Sequence, residues 1–530
     1  MDDTKSEAVQ NVSSHPSSEM DDVIGMSADE RTLLALGHKQ ELKRTHTFWS
    51  LMAYQTTILC SWSCNIVMFY YVFSLGGPVC LVCGTVVVST GQILLMASMA
   101  EYTSIWPTAG GQQFYTQLVA PRSMRRFLSY VVGWCILVGQ ISASTSCALN
   151  SAEIVGAFVG VTHPDIVWKP YMTWLIYTGF LVAPAVSNLL PRNLPALNIM
   201  GASFNILGGI VWAIVFLAMA PKTSAKFVFT EFINTSGWAS PGWVFILSMY
   251  VPIYGLYGTD GVMHRRRVMV WSMAWAGTTA WVSAIIMVYT AGNWEVYMEA
   301  DSSYLAWFMD VTKSVNGGGI FCAVIMMGLN YLIIVNMNTA GSRLVWSMAR
   351  DRAFPFSSYL SQISTRFQMP LNAMNAIIVV NLIVGLLVLG SKLAFFAIIS
   401  GGGVTFQVSF CIPILCVVCR GRSILPPRPN FDLGKWGYPI NIASLLWSVI
   451  VVLFFVFPQF VPVVGTGNIQ NMNWAIAILA GVVVFGGLYW VLKGRKEYLV
   501  DSNTVMDESV VVMGQEVLAA HQVVGSSEKL

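Results

Sequence analysis

The residues best suited to chemistry lie in two apolar stretches of the sequence, where polar side chains need a reason to be present. The first stretch, residues 56–65, contains Ser61, Trp62 and Asn65. Serine and asparagine can hydrogen-bond to a ligand, and an indole ring can attract an ammonium group. The same small polar residues can instead join neighbouring helices by hydrogen bonds, so both roles are open.

The second stretch, residues 252–261, combines helix breakers with an acid. Pro252 and three glycines interrupt a helix, and an interrupted backbone at membrane depth is tolerated only beside protein or water. Asp260 can bind a substrate ammonium or a proton, or it can cap the half-helix that follows. The residues that we predict to contact a ligand here are Tyr254, Gly255, Tyr257, Gly258 and Asp260.

The sequence contains no arrangement typical of an enzyme. The six histidines are scattered without an HExxH motif, and no glycine-rich phosphate loop precedes Lys-Ser or Lys-Thr. Cys80 and Cys83 form a CxxC without a second Cys or His pair nearby, so we interpret them as small packing residues. We therefore expect neither an enzyme nor an ATP-driven pump, and neither a cofactor nor a bound metal.

The composition places these stretches in a membrane. The chain is 55% hydrophobic and only 10% charged, whereas soluble chains carry roughly 25% charged residues. Water cannot solvate so apolar a surface, so most of the chain must lie in a lipid bilayer. A net charge of +3 is too small to indicate nucleic acid as a partner.

Stretches free of charged residues predict about twelve membrane-spanning helices, because a span needs about 20 apolar residues. Residues 45–100 hold two spans, with Gly76-Gly77-Pro78 as the turn between them, and residues 436–492 hold the last two. Single spans are predicted at 127–152, 170–191, 193–221, 232–259, 268–294, 314–342, 368–391 and 393–419. The predicted fold is an all-α polytopic membrane protein, with a transmembrane domain at 46–496 between disordered tails at 1–45 and 497–530.

Lysine and arginine predict the orientation. With twelve spans, 24 of these residues fall in the tails and loops of one side and five fall on the other. The loops of what we call the arginine-rich side carry Arg122, Arg125, Arg126, Arg192, Arg265, Arg266, Arg267, Arg343, Arg350, Arg352, Arg366, Arg420, Arg422, Arg428 and Lys435. The positive-inside rule makes this side cytosolic, with both termini. Asn234, in an Asn-Thr-Ser sequon on the opposite side, is a predicted glycosylation site.

The two polar stretches fall in the first and sixth predicted spans. Secondary transporters bind substrate near the bilayer midplane, where a pair of interrupted helices occupies matching positions in two halves of the fold. A channel would instead need a pore-lining ring of charge, which the sequence does not show. The paired interruption therefore favours a transporter of a small molecule.

Three motifs carry a resemblance to a known family. They are MAEYTSIWPTAGGQ at residues 99–112, YVVGW at 130–134, and NTAGSR at 338–343 followed by ARD at 349–351. Over about residues 48–496 the chain resembles fungal permeases of the amino acid–choline transporter family, within the amino acid–polyamine–organocation superfamily. The resemblance implies a leucine-transporter-like fold with two inverted five-helix repeats and two further spans.

The resemblance also implies a function. It indicates a permease that imports amino acids, γ-aminobutyrate or choline-like amines across the plasma membrane, coupled to protons or another ion. The alternative is a nutrient sensor that keeps the fold and does not transport. Uptake in a permease-deficient yeast separates the two.

The sequence departs from the family in two places. Residues 61–65 contain no glycine, whereas many superfamily members have a glycine-rich break there that holds a substrate carboxylate. After His264, Arg265-Arg266-Arg267 follow at once, where the family continues through an acidic segment and a proline. About a dozen residues are missing relative to the family. We hypothesise that this short connection strains the protein on the cytosolic side and slows transport, or that the sequence reflects an altered splice or gene model.

Overall fold

The computed structural model describes residues 47–106, 108, 110–258, 266–390, 392–426, 431–463 and 471–499. Residues Thr45–Tyr498 form one compact unit. The predictions for the two tails therefore fall almost entirely outside the described residues. The same holds for Asp260 and for most of the short connection between the sixth and seventh spans.

The described residues form an all-α membrane protein, as the sequence predicts. Within the described residues, nine helices are long and apolar enough to cross a bilayer, and three further apolar segments complete the expected order of twelve spans. Span 1 consists of Phe48–Leu59, Ser61–Val67 and Phe69–Ser74, and span 6 consists of Pro241–Ser248 and Tyr250–Tyr254. The other spans are Gly77–Ile105, Arg125–Thr162, Pro170–Asn188, Leu194–Met219, Arg266–Tyr289, Val315–Arg350, Leu371–Gly390, Lys392–Arg420, Gly437–Phe454 and Ala475–Tyr489.

Local sequence explains where several spans begin. Proline occupies the first turn of spans 2, 4, 5 and 6, where its missing N–H has no partner within the helix in any case. The Ser240 side chain caps span 6 by accepting a hydrogen bond from the backbone of Trp243. The predicted turn between spans 1 and 2 is confirmed, since Gly76 and Gly77 both have positive φ.

Helices five positions apart in the order of spans pack against each other. Span 3 contacts span 8, span 2 contacts span 7, span 4 contacts span 9, and the middle segments of span 1 contact span 6. This is the pairing that two repeats of five helices related by a pseudo-two-fold axis produce. Among the nine long helices of the described residues, spans 2, 3, 8 and 10 are the most buried and span 12 is the most exposed.

The segment before span 6 differs from the sequence prediction. We predicted a span from residue 232, but the helix begins only at Pro241. The preceding residues pair with the turn between spans 1 and 2: Gly76 donates a backbone hydrogen bond to Ile233, and Asn234 forms a β-bridge with Leu75. The apolar residues of this segment therefore cover a turn and do not cross the membrane.

Candidate functional site

Span 1 is interrupted beside the centre of the fold. The helix Phe48–Leu59 ends at Cys60, whose φ of 9° and ψ of 45° lie outside helical values, and a new helix starts at Ser61. The side chain of Asn205, from span 5, donates a 2.7 Å hydrogen bond to the Thr56 carbonyl just before this break. Ser63 Oγ donates to the Cys60 carbonyl at 2.9 Å. The same two carbonyls accept only long backbone hydrogen bonds, of 3.3 Å, from Cys60 and Cys64, so side chains supplement a weakened backbone ladder at the break.

Span 6 is interrupted at the same depth and faces the break of span 1. Its helix ends at Tyr254, and Gly258 has a φ of +96°, which favours glycine. Gln55, in span 1, donates to the Gly258 carbonyl at 3.3 Å. A Cβ atom on Gly255 would lie only 3.0 Å from Ser61 Cα and 2.9 Å from Cys64 Cβ. The two predicted interruptions are therefore present and in direct contact.

Replacing Gly255 by alanine should reduce transport. The added methyl group would meet the backbone of Ser61 and the Cβ of Cys64, neither of which can rotate away. Overpacking of this kind typically costs about 1–3 kcal/mol, and we expect uptake per surface molecule to fall at least about tenfold. Gly179→Ala is the matched control, because a Cβ there would have no neighbour within 4 Å. If the Gly255→Ala variant transports as fast as the Gly179→Ala variant, close contact between the breaks of spans 1 and 6 is not required for transport.

A cavity of about 800 Å³ lies next to these breaks and extends to the side opposite the arginine-rich side. Its walls come from spans 1, 3, 6 and 8 and from Tyr304 of the helix Ser303–Thr312, together with the loop residues 235, 459–461 and 471–474. Ser146, Asn150 and Glu153 recur at helical spacing on span 3 and place one polar face of that span in the cavity wall. The volume suits a small organic molecule.

Of the residues predicted to bind a ligand, Tyr254 lies in the wall of this cavity. Its hydroxyl is hydrogen-bonded to Ser146 of span 3. Gly255 follows Tyr254 in the chain and packs against Cys64, which also lines the cavity. Tyr257 points away and stacks on Phe406 of span 10 at 6.3 Å between ring centroids. Tyr254 and Gly255 therefore belong to the central region, whereas the Tyr257 ring packs between spans.

The structure places the predicted residues of span 1 against other spans. Ser61 donates a 2.7 Å hydrogen bond to the Ala276 carbonyl of span 7, and Asn65 donates to the Ala280 carbonyl at 2.9 Å. Trp62 donates to Asn205 and stacks on Trp212, both in span 5. These contacts are the helix-joining alternative that the sequence left open.

Ser61 and Trp62 also line a second pocket of about 350 Å³ between spans 1, 5 and 7. This pocket is mostly apolar and is separate from the central cavity. If Ser61 and Trp62 contact a ligand, that ligand would have to lie in this second pocket. Their assignment to the substrate site therefore stays a prediction, as does that of Asn65 and Asp260.

Glu153 is the cavity residue that the sequence analysis missed. We ended the third span at Ala152 because Glu153 interrupts a charge-free stretch, but the helix continues to Thr162. The sequence does indicate that the helix continues past Glu153, because the apolar run Ile154-Val155-Gly156-Ala157-Phe158-Val159 follows directly. An acid inside a membrane helix points to function by default.

The arginine-rich side is held together by a buried ion pair. Both terminal guanidinium nitrogens of Arg422, which follows span 10, donate hydrogen bonds to the carboxylate of Glu101 in span 2, at 2.8 and 2.6 Å. The Glu101 side chain is fully buried and that of Arg422 is 14% exposed. The pair is bidentate, which fixes its geometry as well as its charge.

A second set of contacts on this side involves the carboxylate of Asp351, at the end of span 8. Gln113 and Gln117 donate to one of its oxygens at 3.0 and 3.3 Å, and Gln113 also donates to the Tyr498 hydroxyl. Burial raises the pKa of the Asp351 carboxyl, although Arg350 and the two glutamines act in the opposite direction. These contacts join the helices on the side of the protein away from the cavity.

The amide nitrogen of Asn234 in the predicted glycosylation site donates a 2.7 Å hydrogen bond to the Trp238 carbonyl. Its oxygen accepts from Ser236, whose side chain is fully buried. A glycan on this nitrogen would have to displace the Trp238 contact. Glycosylation of Asn234 stays a prediction.

Comparison with known proteins agrees with this architecture. A family model described as amino acid permease matches residues 47–485. A choline transporter of Saccharomyces cerevisiae is 28% identical, covering 89% of this chain and 85% of that protein. Amino-acid permease 2 of Neurospora crassa is 25% identical over 88% of both chains. Amino-acid permease BAT1 of Arabidopsis thaliana is 26% identical over 89% of this chain and 95% of its own.

These similarities confirm the resemblance inferred from the motifs. The matched region includes all the spans that build the central cavity, and it extends from the first described residues into span 12. The similar proteins are permeases and transporters, so the chain is a multi-pass membrane transporter and not an enzyme. The chain belongs to the amino acid permease family.

Proposed function

We propose that this permease imports a small amino compound, such as an amino acid, γ-aminobutyrate or a choline-like amine, by proton-coupled secondary transport. The observation that carries the proposal is the cavity of about 800 Å³ beside the paired breaks of spans 1 and 6. Broken helices at the midplane are where transporters of this architecture bind substrate. The names of the similar proteins supply choline and amino acids as candidate substrates, and the motif resemblance adds γ-aminobutyrate.

The arrangement of the described spans supports alternating access. The cavity extends to one side, while the Glu101–Arg422 pair and the Asp351 contacts hold the spans together on the other side. If the arginine-rich side is cytosolic, as the positive-inside rule indicates, the cavity faces outward. Such a form would take up substrate from outside, and we place it in the plasma membrane.

Uptake by whole cells tests this proposal. A permease-deficient yeast expressing the chain should accumulate at least one radiolabelled compound from a panel of choline, γ-aminobutyrate and amino acids. Because proton coupling draws on the proton gradient, uptake should fall when a protonophore is added. A chain that reaches the surface and accumulates no compound in the panel would favour the nutrient sensor.

A further inference from the structure

Glu153 gives the central cavity a carboxylate in its wall. Its side chain is exposed to the cavity, about one helical turn from Asn150 and two from Ser146 on the same face of span 3. It lies close enough to Tyr71 and Tyr304 to interact electrostatically with both hydroxyls. A carboxylate in this position faces any molecule that occupies the outer part of the cavity.

The charge of the described cavity wall is negative. Among the described residues that line the cavity, Glu153 is the only Asp or Glu, and none is Lys, Arg or His. Charges interact more strongly in such a partly enclosed site than in water. The wall therefore attracts a positively charged group and repels a substrate carboxylate.

Aromatic rings surround the same space. Tyr71, Tyr250, Tyr254 and Tyr304 come from spans 1 and 6 and from the helix Ser303–Thr312, and all four line the cavity. Hydrogen bonds hold two of them in place: Asn150 donates to the Tyr304 hydroxyl at 3.1 Å, and Tyr254 bonds to Ser146. Rings combined with a carboxylate are a common means of binding an ammonium group.

The described cavity offers little to a substrate carboxylate. Gly255 contacts the backbone at Ser61 and the Cβ of Cys64, so span 6 covers the start of the helix that follows the break in span 1. Together with the absence of a basic residue in the described wall, this leaves no strong partner for an anionic group there. Glu153 would attract the ammonium group of a zwitterion, but it would repel the carboxylate of the same molecule.

We propose that Glu153 binds the cationic nitrogen of the substrate, and that this permease selects amines with a net positive charge and no carboxylate. The proposal rests on the proposed function, because it names the substrate class of the same cavity. Quaternary and primary ammonium compounds both fit this chemistry. Amino acids and γ-aminobutyrate are the disfavoured class.

The test compares Glu153→Gln with wild type in uptake of radiolabelled choline and γ-aminobutyrate, at matched surface amounts. We expect the KM for choline to rise at least about tenfold, because the variant loses a charge contact in a partly enclosed site. Glu153→Asp, which keeps the charge, should restore most of the affinity. Glu231→Gln removes an exposed acid outside the cavity and should leave uptake unchanged.

The outcomes separate this inference from the proposed function. Wild-type uptake of γ-aminobutyrate but not of choline would overturn the cation preference and leave the transporter intact. An equal loss for both compounds in Glu153→Gln would also overturn it, since Glu153 would then serve a general step such as proton transfer. If wild type transports neither compound, radiolabelled choline binding to purified protein still decides the matter. Choline that binds wild type but not Glu153→Gln supports the inference, and any other result overturns it.

Discussion

Removing either member of the Glu101–Arg422 ion pair should destabilise the protein. Arg422→Met should cost about 3–5 kcal/mol, because the fully buried Glu101 would lose its charged partner, and Glu101→Gln should cost less, because Arg422 is 14% exposed and also lies 3.9 Å from Asp432. Glu101 is fully buried and receives both guanidinium nitrogens of Arg422, as well as the backbone N–H of Leu433 at 3.3 Å. Total stabilities are only about 5–15 kcal/mol, so Arg422→Met should sharply lower the amount of folded protein at the surface, and Glu101→Gln should lower it to a smaller extent.

Melting of the purified protein in detergent, followed by size-exclusion chromatography, measures this effect. The melting temperature of the double variant Glu101→Gln/Arg422→Met should fall by less than the sum of the decreases in the two single variants, because neither charge of the pair then remains without the other. Lys313→Gln is the matched control. Its ion pair with Asp310 has side chains that are 66% and 30% exposed, and exposed pairs contribute about 0–1 kcal/mol. Single variants that melt like Lys313→Gln would show that the buried pair adds no stability.

The positions of the spans could be predicted because lipid imposes a simple rule. A helix must cross about 30 Å of hydrocarbon without charge, so charge-free runs mark the spans closely. The break in span 6 could also be predicted, because Gly255 and Gly258 follow Pro252 closely: the helix that contains Pro252 ends at Tyr254, and Gly258 has a positive φ. The rule failed at residues 232–240, where apolar residues cover a turn of the protein and not lipid.

The direction of each side chain could not be predicted from the sequence. Trp62 and Asn65 stand beside the break, but the rotation of their helix turns them toward spans 5 and 7. That rotation depends on partners more than 140 residues away, such as Asn205 and Ala280. Glu153 was missed for the opposite reason. A charge was taken as the end of a span, whereas a cavity inside the protein can hold it within one.

The structure sharpens the hypothesis about the short connection after span 6. Arg266 and Arg267 already belong to the helix of span 7. Only residues 259–265 then join Gly258 to span 7. Seven residues extend about 10 Å as a helix, whereas half of the hydrocarbon core is about 15 Å. They would also have to include a connection, which usually takes about 2–8 residues.

Inserting about twelve residues, taken from the corresponding segment of another family member, between His264 and Arg265 should therefore raise transport, because they add about 18 Å of helix. Relief of about 1.4 kcal/mol of strain would speed a limiting step about tenfold. Uptake per surface molecule measures the change, and a glycine–serine insertion of equal length tests whether length alone suffices. If the chain as it stands already transports as fast as the extended form, seven residues are enough for the movement of span 6, and the strain hypothesis is wrong.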